Sequence, residues 1–295
     1  MARKALLVGI NDYAPAGAGG PDLRGCVNDV RDMATTLNAL GIVPASPGTM
    51  QILTDARATR SAILQGFQWL VRGAKKGDVL IFYYSGHGSY VADVNGDELD
   101  RRDETLCPHD FATAGMIKDD DLRSLLSGLA AGVNLDVILD SCHSGSGTRE
   151  LQALADMPEE LSLAYRFVEP PIDWGFFLDV EPSLPRQGFL QPQAEGAEPA
   201  PAKGGGLRQA VVVPGLNHVL WAGCRDNQTS AEAPVGGVWR GAFTYCFCKA
   251  LRRAGTTITR RRLDTLVSAD VAGLGHSQVP QLEGTTTSLG EKVFT

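Results

Sequence analysis

The sequence has no apolar run long enough to cross a bilayer, which excludes a helical membrane span. It has no basic excess either. Lys and Arg number 27 against 34 Asp and Glu, and a net charge of −7 argues against nucleic acid or an anionic membrane surface as partner. The opening MARKALLVGI lacks the long apolar core and small-residue cleavage site of a signal peptide. It reads as a first strand beginning near residue 4, with no recruitment domain expected before it. Cysteines are few: Cys26, Cys107, Cys142, Cys224, Cys246 and Cys248 make six in 295 residues, and none form a CxxC pair. That scarcity excludes a dense disulfide framework and a paired-cysteine metal site, and fits free thiols in a reducing cytoplasm. No internal repeat is visible. What remains is a globular composition, 43% hydrophobic and 21% charged.

Within that composition, continuous apolar strands alternate with helical stretches over the first two-thirds of the chain. KALLVGI (4–10), MQILTD, GDVLIFYYS (77–85) and NLDVILDSCHSG (134–145) read as strands. Between them, residues 25–41 carry Val30, Met33, Leu37 and Leu40 on one stripe and stop at Gly41. A second helix opens near Thr59, with Ile63, Phe67, Leu70 and Val71 inward, and a third spans 119–129 behind three aspartates that suit its positive N-terminus. Fully apolar strands joined by helices predict an α/β fold with a mostly parallel central sheet covered on both faces. Three portions are expected: residues 1–150 carrying the chemistry, a Pro/Gly-rich insertion over 151–207, and 208–295 completing the same sheet. The last portion is expected to hold strands at QAVVV and HVLWAGC and helices over 241–255 and 259–273.

Functional groups on such sheets collect beyond the carboxyl ends of the strands. One strand runs into Ser85-Gly86-His87-Gly88 and another into Asp140-Ser141-Cys142-His143. A cysteine beside a histidine is a nucleophile with its base, provided the two strands are neighbours. Cys142 is the expected nucleophile and His87 its acid–base partner, with the amides of Gly86 and Cys142 as donors to a developing oxyanion. His143 is set aside, because adjacent side chains on an extended segment point opposite ways. His109, His218 and His276 carry no pattern that gives them a role.

These residues resemble the caspase–haemoglobinase group, with His87 lying 55 residues before Cys142. The closer resemblance is to metacaspases and bacterial orthocaspases, through ALLVGINDY, LRGCVNDV, YYSGHGS, DETLCPHDF, DSCHSG, AGCRDNQTSAE and SQVPQLEG. It implies a caspase-fold cysteine endopeptidase acting on proteins and peptides, typically as a monomer. It also implies that Cys26, Asp29, Ser85 and Asp140 line the pocket for the residue before the scissile bond. Two carboxylates there attract a guanidinium or ammonium group, so cleavage after Arg or Lys is expected. By the same resemblance Asp103, Asp119 and Asp120 correspond to calcium ligands, but Arg149 stands where a fourth aspartate is usual. The Asp-Xaa-Asn-Gly-Asp run at 93–97 has its glycine too early for an EF-hand. Arg149, Arg166, Arg186, Lys203 and Arg208 lie in or beside the insertion as candidate self-cleavage sites, which the sequence does not tell apart. The alternative is a non-proteolytic signalling or scaffold protein on the same fold.

Overall fold

The computed structural model describes residues 1–14, 22–92, 102–141, 164–166, 168, 217–225, 228 and 230–295. The first half contains β1 (Arg3–Gly9), α1 (Cys26–Ala39), β2 (Met50–Thr54), α2 (Arg60–Val71), β3 (Val79–Ser85), β4 (Gly88–Ala92), β5 (Arg102–Leu106), α3 (Phe111–Ala114), β6 (Ile117–Lys118), α4 (Asp119–Leu126) and β7 (Asn134–Asp140). The second contains β8 (Ala164–Tyr165), β9 (Asn217–Ala222), β10 (Ala231–Val235), β11 (Val238–Gly241), α5 (Ala242–Ala254), α6 (Arg260–Gly273), β12 (Gln281–Gly284) and α7 (Thr286–Gly290).

Six strands form the central sheet in the order β12-β9-β7-β3-β1-β2, parallel except for β12 against β9. Alternation along β3 decides which helices cover which face. Leu80, Phe82 and Tyr84 share one core with Ile63, Phe67 and Leu70 of α2 and Leu122 and Leu126 of α4. Val79, Ile81 and Tyr83 share the other with Val30, Met33 and Leu37 of α1, Phe243 and Phe247 of α5, and Leu263 and Val267 of α6. The expected α/β layering is therefore present, and both faces of the sheet are dry. The strand expected at QAVVV lies outside the described residues.

Register sets the working edge. Gly9 pairs with Ser85, and Ser85 pairs with Asp140, so β1, β3 and β7 end in one row. A Cβ at Gly9 would stand 2.5 Å from the Cys26 carbonyl oxygen and from Val30 Cγ2, so the missing side chain lets the first turn of α1 press against the strand. Helix α1 ends as expected just before Gly41, whose φ of +65° suits a residue without a Cβ. Two features were not foreseen: a small antiparallel sheet β4-β5-β6 beyond His87, and the hairpin β10–β11. The hairpin turns on Gly236 and Gly237, both with positive φ, between Val235 and Val238.

Away from this edge, Arg260 of α6 is wholly buried against Asp136 of β7, with Nε 3.4 Å from Oδ1. It also donates to the carbonyl oxygens of Ser288 and Thr295 and to Glu291 Oε2. Burial raises the Asp136 carboxyl above its ordinary range, and Arg260 opposes the rise. Removing one member of a buried pair strands the other charge. Arg260→Leu is therefore expected to lower unfolding stability by roughly 3–5 kcal/mol in urea denaturation. A midpoint equal to wild type would show that this pair does not tie the C-terminus to the sheet.

Candidate active site

The site is built at the carboxyl edge from two buried carboxylates. Asp29 lies on the inward stripe of α1, with Cys26, Val30 and Met33, and has no exposure to solvent. Asp140 closes β7 and is equally buried. Ser85 Oγ donates to Asp29 Oδ2 at 2.8 Å, and the Gly241 amide donates to both Asp29 oxygens. Asp140 receives Ser230 Oγ on Oδ1, and the Thr244 amide and hydroxyl on Oδ2. Cys26 begins α1 in the same group. Burial lifts its thiol well above the ordinary value, against a lowering influence from Arg166, so it is an unreactive wall.

The cation among them is Arg166. Its guanidinium is fully buried, with Nη2 2.6 Å from Asp29 Oδ2 and Nη1 3.0 Å from Asp140 Oδ1. Nη1 also donates to Ser85 Oγ at 2.8 Å and to the Asp140 carbonyl oxygen at 2.9 Å. A third carboxylate, Glu232 of β10, lies 3.5 Å from Nη2 and accepts from the amides of Arg24 and Gly25 just before α1. Sequence reasoning did not select Glu232. Its one signal was a carboxylate alone in the short run Ala231–Val235.

The backbone around Arg166 is held as an added strand. Ala164 and Tyr165 pair antiparallel with Glu232 and Ala231. The Arg166 amide donates to the Ser230 carbonyl, its own carbonyl oxygen accepts from the Gly88 amide at 3.0 Å, and the Val168 amide donates to the Gly88 carbonyl. Gly86 was expected to offer an oxyanion donor. Its N–H is directed at the Asp140 carbonyl oxygen at 3.4 Å, and the amide that meets the Arg166 carbonyl belongs to Gly88, one residue past the histidine instead of one before.

His87 is pinned where β3 passes into β4. Its amide donates to Tyr13 Oη at 2.7 Å, and its carbonyl oxygen accepts from Tyr84 Oη at 2.7 Å and from the Cys107 amide. The Tyr13 ring lies 4.9 Å from the imidazole, which is 3% exposed. Strands β3 and β7 are adjacent and parallel, as the pairing of His87 with Cys142 requires. Cys142 itself lies outside the described residues, as do Arg149, Arg186, Lys203 and Arg208. Asp103 falls in β5, and Asp119 and Asp120 open α4. The side chains of these three aspartates also lie outside the described residues.

Burial pushes the Asp29 carboxyl up to about 6. Arg166 pulls it down and Asp140 pushes it further up. The group therefore needs a cation to hold its charges together.

Residues 3–149 match the family model described as metacaspase, peptidase C14 domain. The chain is 35% identical to Metacaspase-1 of Ajellomyces capsulatus over 296 residues, covering 95% of this chain and 79% of that protein. It is also 35% identical to Metacaspase-1A of Aspergillus fumigatus over 301 residues, covering 95% of this chain and 68% of the relative. A crystal structure of protein GSU0716 from Geobacter sulfurreducens superposes with a TM-score of 0.65 at 25% identity, covering 100% of this chain and 99% of the other.

Arg166→Ala takes away the one influence of a guanidinium on Asp29 while leaving its burial. Carbon-detected titration of the Asp29 carboxyl is expected to give a higher pKa in Arg166→Ala than in the wild type. An unchanged or lower value would mean that Arg166 is not the counter-ion.

Proposed function

We propose that this chain, which belongs to the metacaspase family and is a caspase-like cysteine peptidase, cleaves peptide bonds after Arg or Lys and cuts itself after Arg166. One observation carries the reading. Arg166 occupies a carboxylate pocket while its carbonyl oxygen sits on the Gly88 amide. A basic side chain is thus recognised next to a carbonyl already polarised by a backbone donor beside the histidine.

In this reading the Cys142 thiolate attacks the carbonyl carbon of residue 166, and negative charge gathers on the oxygen facing the Gly88 amide. The C–N bond to Phe167 breaks as His87 delivers a proton to the departing amine. Water, deprotonated by His87, then hydrolyses the thioester, releasing the Arg166 carboxylate and restoring the thiol. Asp29, Asp140, Ser85 and Cys26 do none of this chemistry; they position the basic side chain so that the carbonyl meets its donor.

Two neighbouring roles belong to the same proposal. Asp103, Asp119 and Asp120 would hold a calcium ion, which would supply regulation and no step of bond cleavage. Pairing of Thr105 with Lys118 supports it, because this sets the start of α4 beside β5. A single chain suffices for the pocket, since Arg166 is supplied from within, and the five described cysteines are buried free thiols, consistent with the cytoplasm.

Peptides with a reporter after Arg, Lys or Asp test the function. Turnover of the first two and not the third is expected, and abolition in Cys142→Ala. Turnover of the Asp peptide alone would overturn the specificity. On denaturing gels the wild type is expected to fragment at 166/167, while Cys142→Ala stays whole and Arg166→Ala loses that fragment; equal fragmentation of all three would remove self-cleavage. The pH dependence follows from Asp29. Protonation of Asp29 removes one pocket charge, so KM for an Arg peptide is expected to rise as pH falls through the Asp29 titration, which lies higher once Arg166 has left the pocket. Asp29→Asn should raise KM at neutral pH and flatten the dependence.

A further inference from the structure

The pocket holds more acceptors than a point charge can use. Nη1 faces Ser85 Oγ, the Asp140 carbonyl oxygen and Asp140 Oδ1, all within 3.0 Å. Nη2 faces Asp29 Oδ2 at 2.6 Å and Glu232 Oε2 at 3.5 Å. The two nitrogens of the fork therefore serve different walls: β3 and β7 on one side, α1 and β10 on the other. A lysine ammonium is a single centre, placed about where the guanidinium carbon lies, and cannot sit against both walls at once.

The space between the walls is cut for a planar group. A Cβ built on Gly241 would collide first with Asp140 Oδ2 and would stand 2.7 Å from Nη2 and 2.8 Å from Nη1, so the glycine leaves room for the carboxylate and the guanidinium together. Gly241 cannot drift away, because its amide donates to Asp29. Glu232 is wholly buried and fixed through both oxygens by the amides of Arg24 and Gly25. A cation that does not reach past the position of the guanidinium carbon leaves this buried carboxylate without the counter-charge that Nη2 supplies at 3.5 Å, and a buried charge without its opposite is unfavourable.

We propose that Glu232, opposite the slot at Gly241, makes this pocket select arginine over lysine. The inference rests on the reading of the pocket as the seat of the residue before the scissile bond, and names the residue that sets its choice. Glu232 is a specificity determinant; it touches the substrate side chain and not the reacting atoms.

The test compares kcat/KM for two peptides that differ only in Arg or Lys before the reporter. Both are measured on the same preparations of wild type and Glu232→Gln. The ratio within one preparation does not depend on how much of it is folded. Wild type is expected to favour Arg by about tenfold or more, because a site built around hydrogen-bond acceptors discriminates against a group that cannot reach them. In E232Q the ratio should shrink at least about threefold, chiefly through loss on the Arg peptide. An unchanged ratio overturns the proposal. So does a wild type that treats both peptides alike, which would leave the endopeptidase reading standing. Loss of both activities together in E232Q also overturns it, since Glu232 would then serve only to hold the start of α1. Failure of wild type on both peptides would bring down the function itself.

Discussion

The structure around the site depends on two carboxylates that burial forces together. Asp29 arrives on a helix and Asp140 at the end of a strand, both without solvent, and Glu232 adds a third charge from the hairpin. Desolvation alone would neutralise one of them, as the raised Asp29 pKa records. Hydrogen bonds from Ser85, Ser230, Thr244 and the Gly241 amide stabilise the anions, but none of these donors carries a charge. Only a cation can complete the group. The geometry of the edge thus prescribes the chemistry of whatever occupies it, and the chain meets that demand with its own Arg166.

That demand links packing to function. The glycine at 9 allows α1 to approach β1, and the approach sets Cys26 and Asp29 beside Ser85. Pairing of Ser85 with Asp140 puts the second carboxylate across from the first. Phe243, next to Thr244, packs in the core beneath, so the donor that fixes Asp140 is itself anchored in the α5 layer. A slip of one residue in the pairing of β3 with β7 would turn Asp140 to the other face of the sheet and dissolve the pocket.

Much of this was legible in the sequence because apolar runs and stripes are local signals. The runs at 79–85 and 134–140 were legible as buried parallel strands, and Val30, Met33 and Leu37 fixed the inward face of α1. Asp29 shares that face in the structure, but its place in the pocket was expected only from the resemblance to metacaspases. The partners of Asp29 and Asp140 were harder to see. Glu232 and Gly241 reach them only through a hairpin paired with an isolated two-residue strand, and pairing between distant segments leaves no periodicity in the chain. The Gly-Gly turn at 236–237 was a readable sign of that hairpin. Arg166 could not be told from four other basic residues, because its distinction is what it touches. Gly86 and Gly88 look alike in the sequence until the direction of their amides is known, the first toward the Asp140 carbonyl oxygen and the second toward that of Arg166.

A second buried arginine clarifies what makes the first one different. Arg260 is enclosed by Asp136, Glu291 and two carbonyls, much as Arg166 is enclosed by Asp29, Asp140 and Glu232. Yet Arg260 is carried by α6, whose apolar side is part of the core, so removing it means unfolding that layer. Arg166 follows a strand of two residues, and its backbone is secured by bonds to Ser230 and Gly88 that any extended peptide could make. The same ion-pair chemistry therefore acts as structural glue where the element is part of the core and, on the proposed reading, as recognition where the element is a strand of two residues. Under the proposed function, the backbone contacts there accept any extended chain and the choice of side chain falls to the carboxylate pocket.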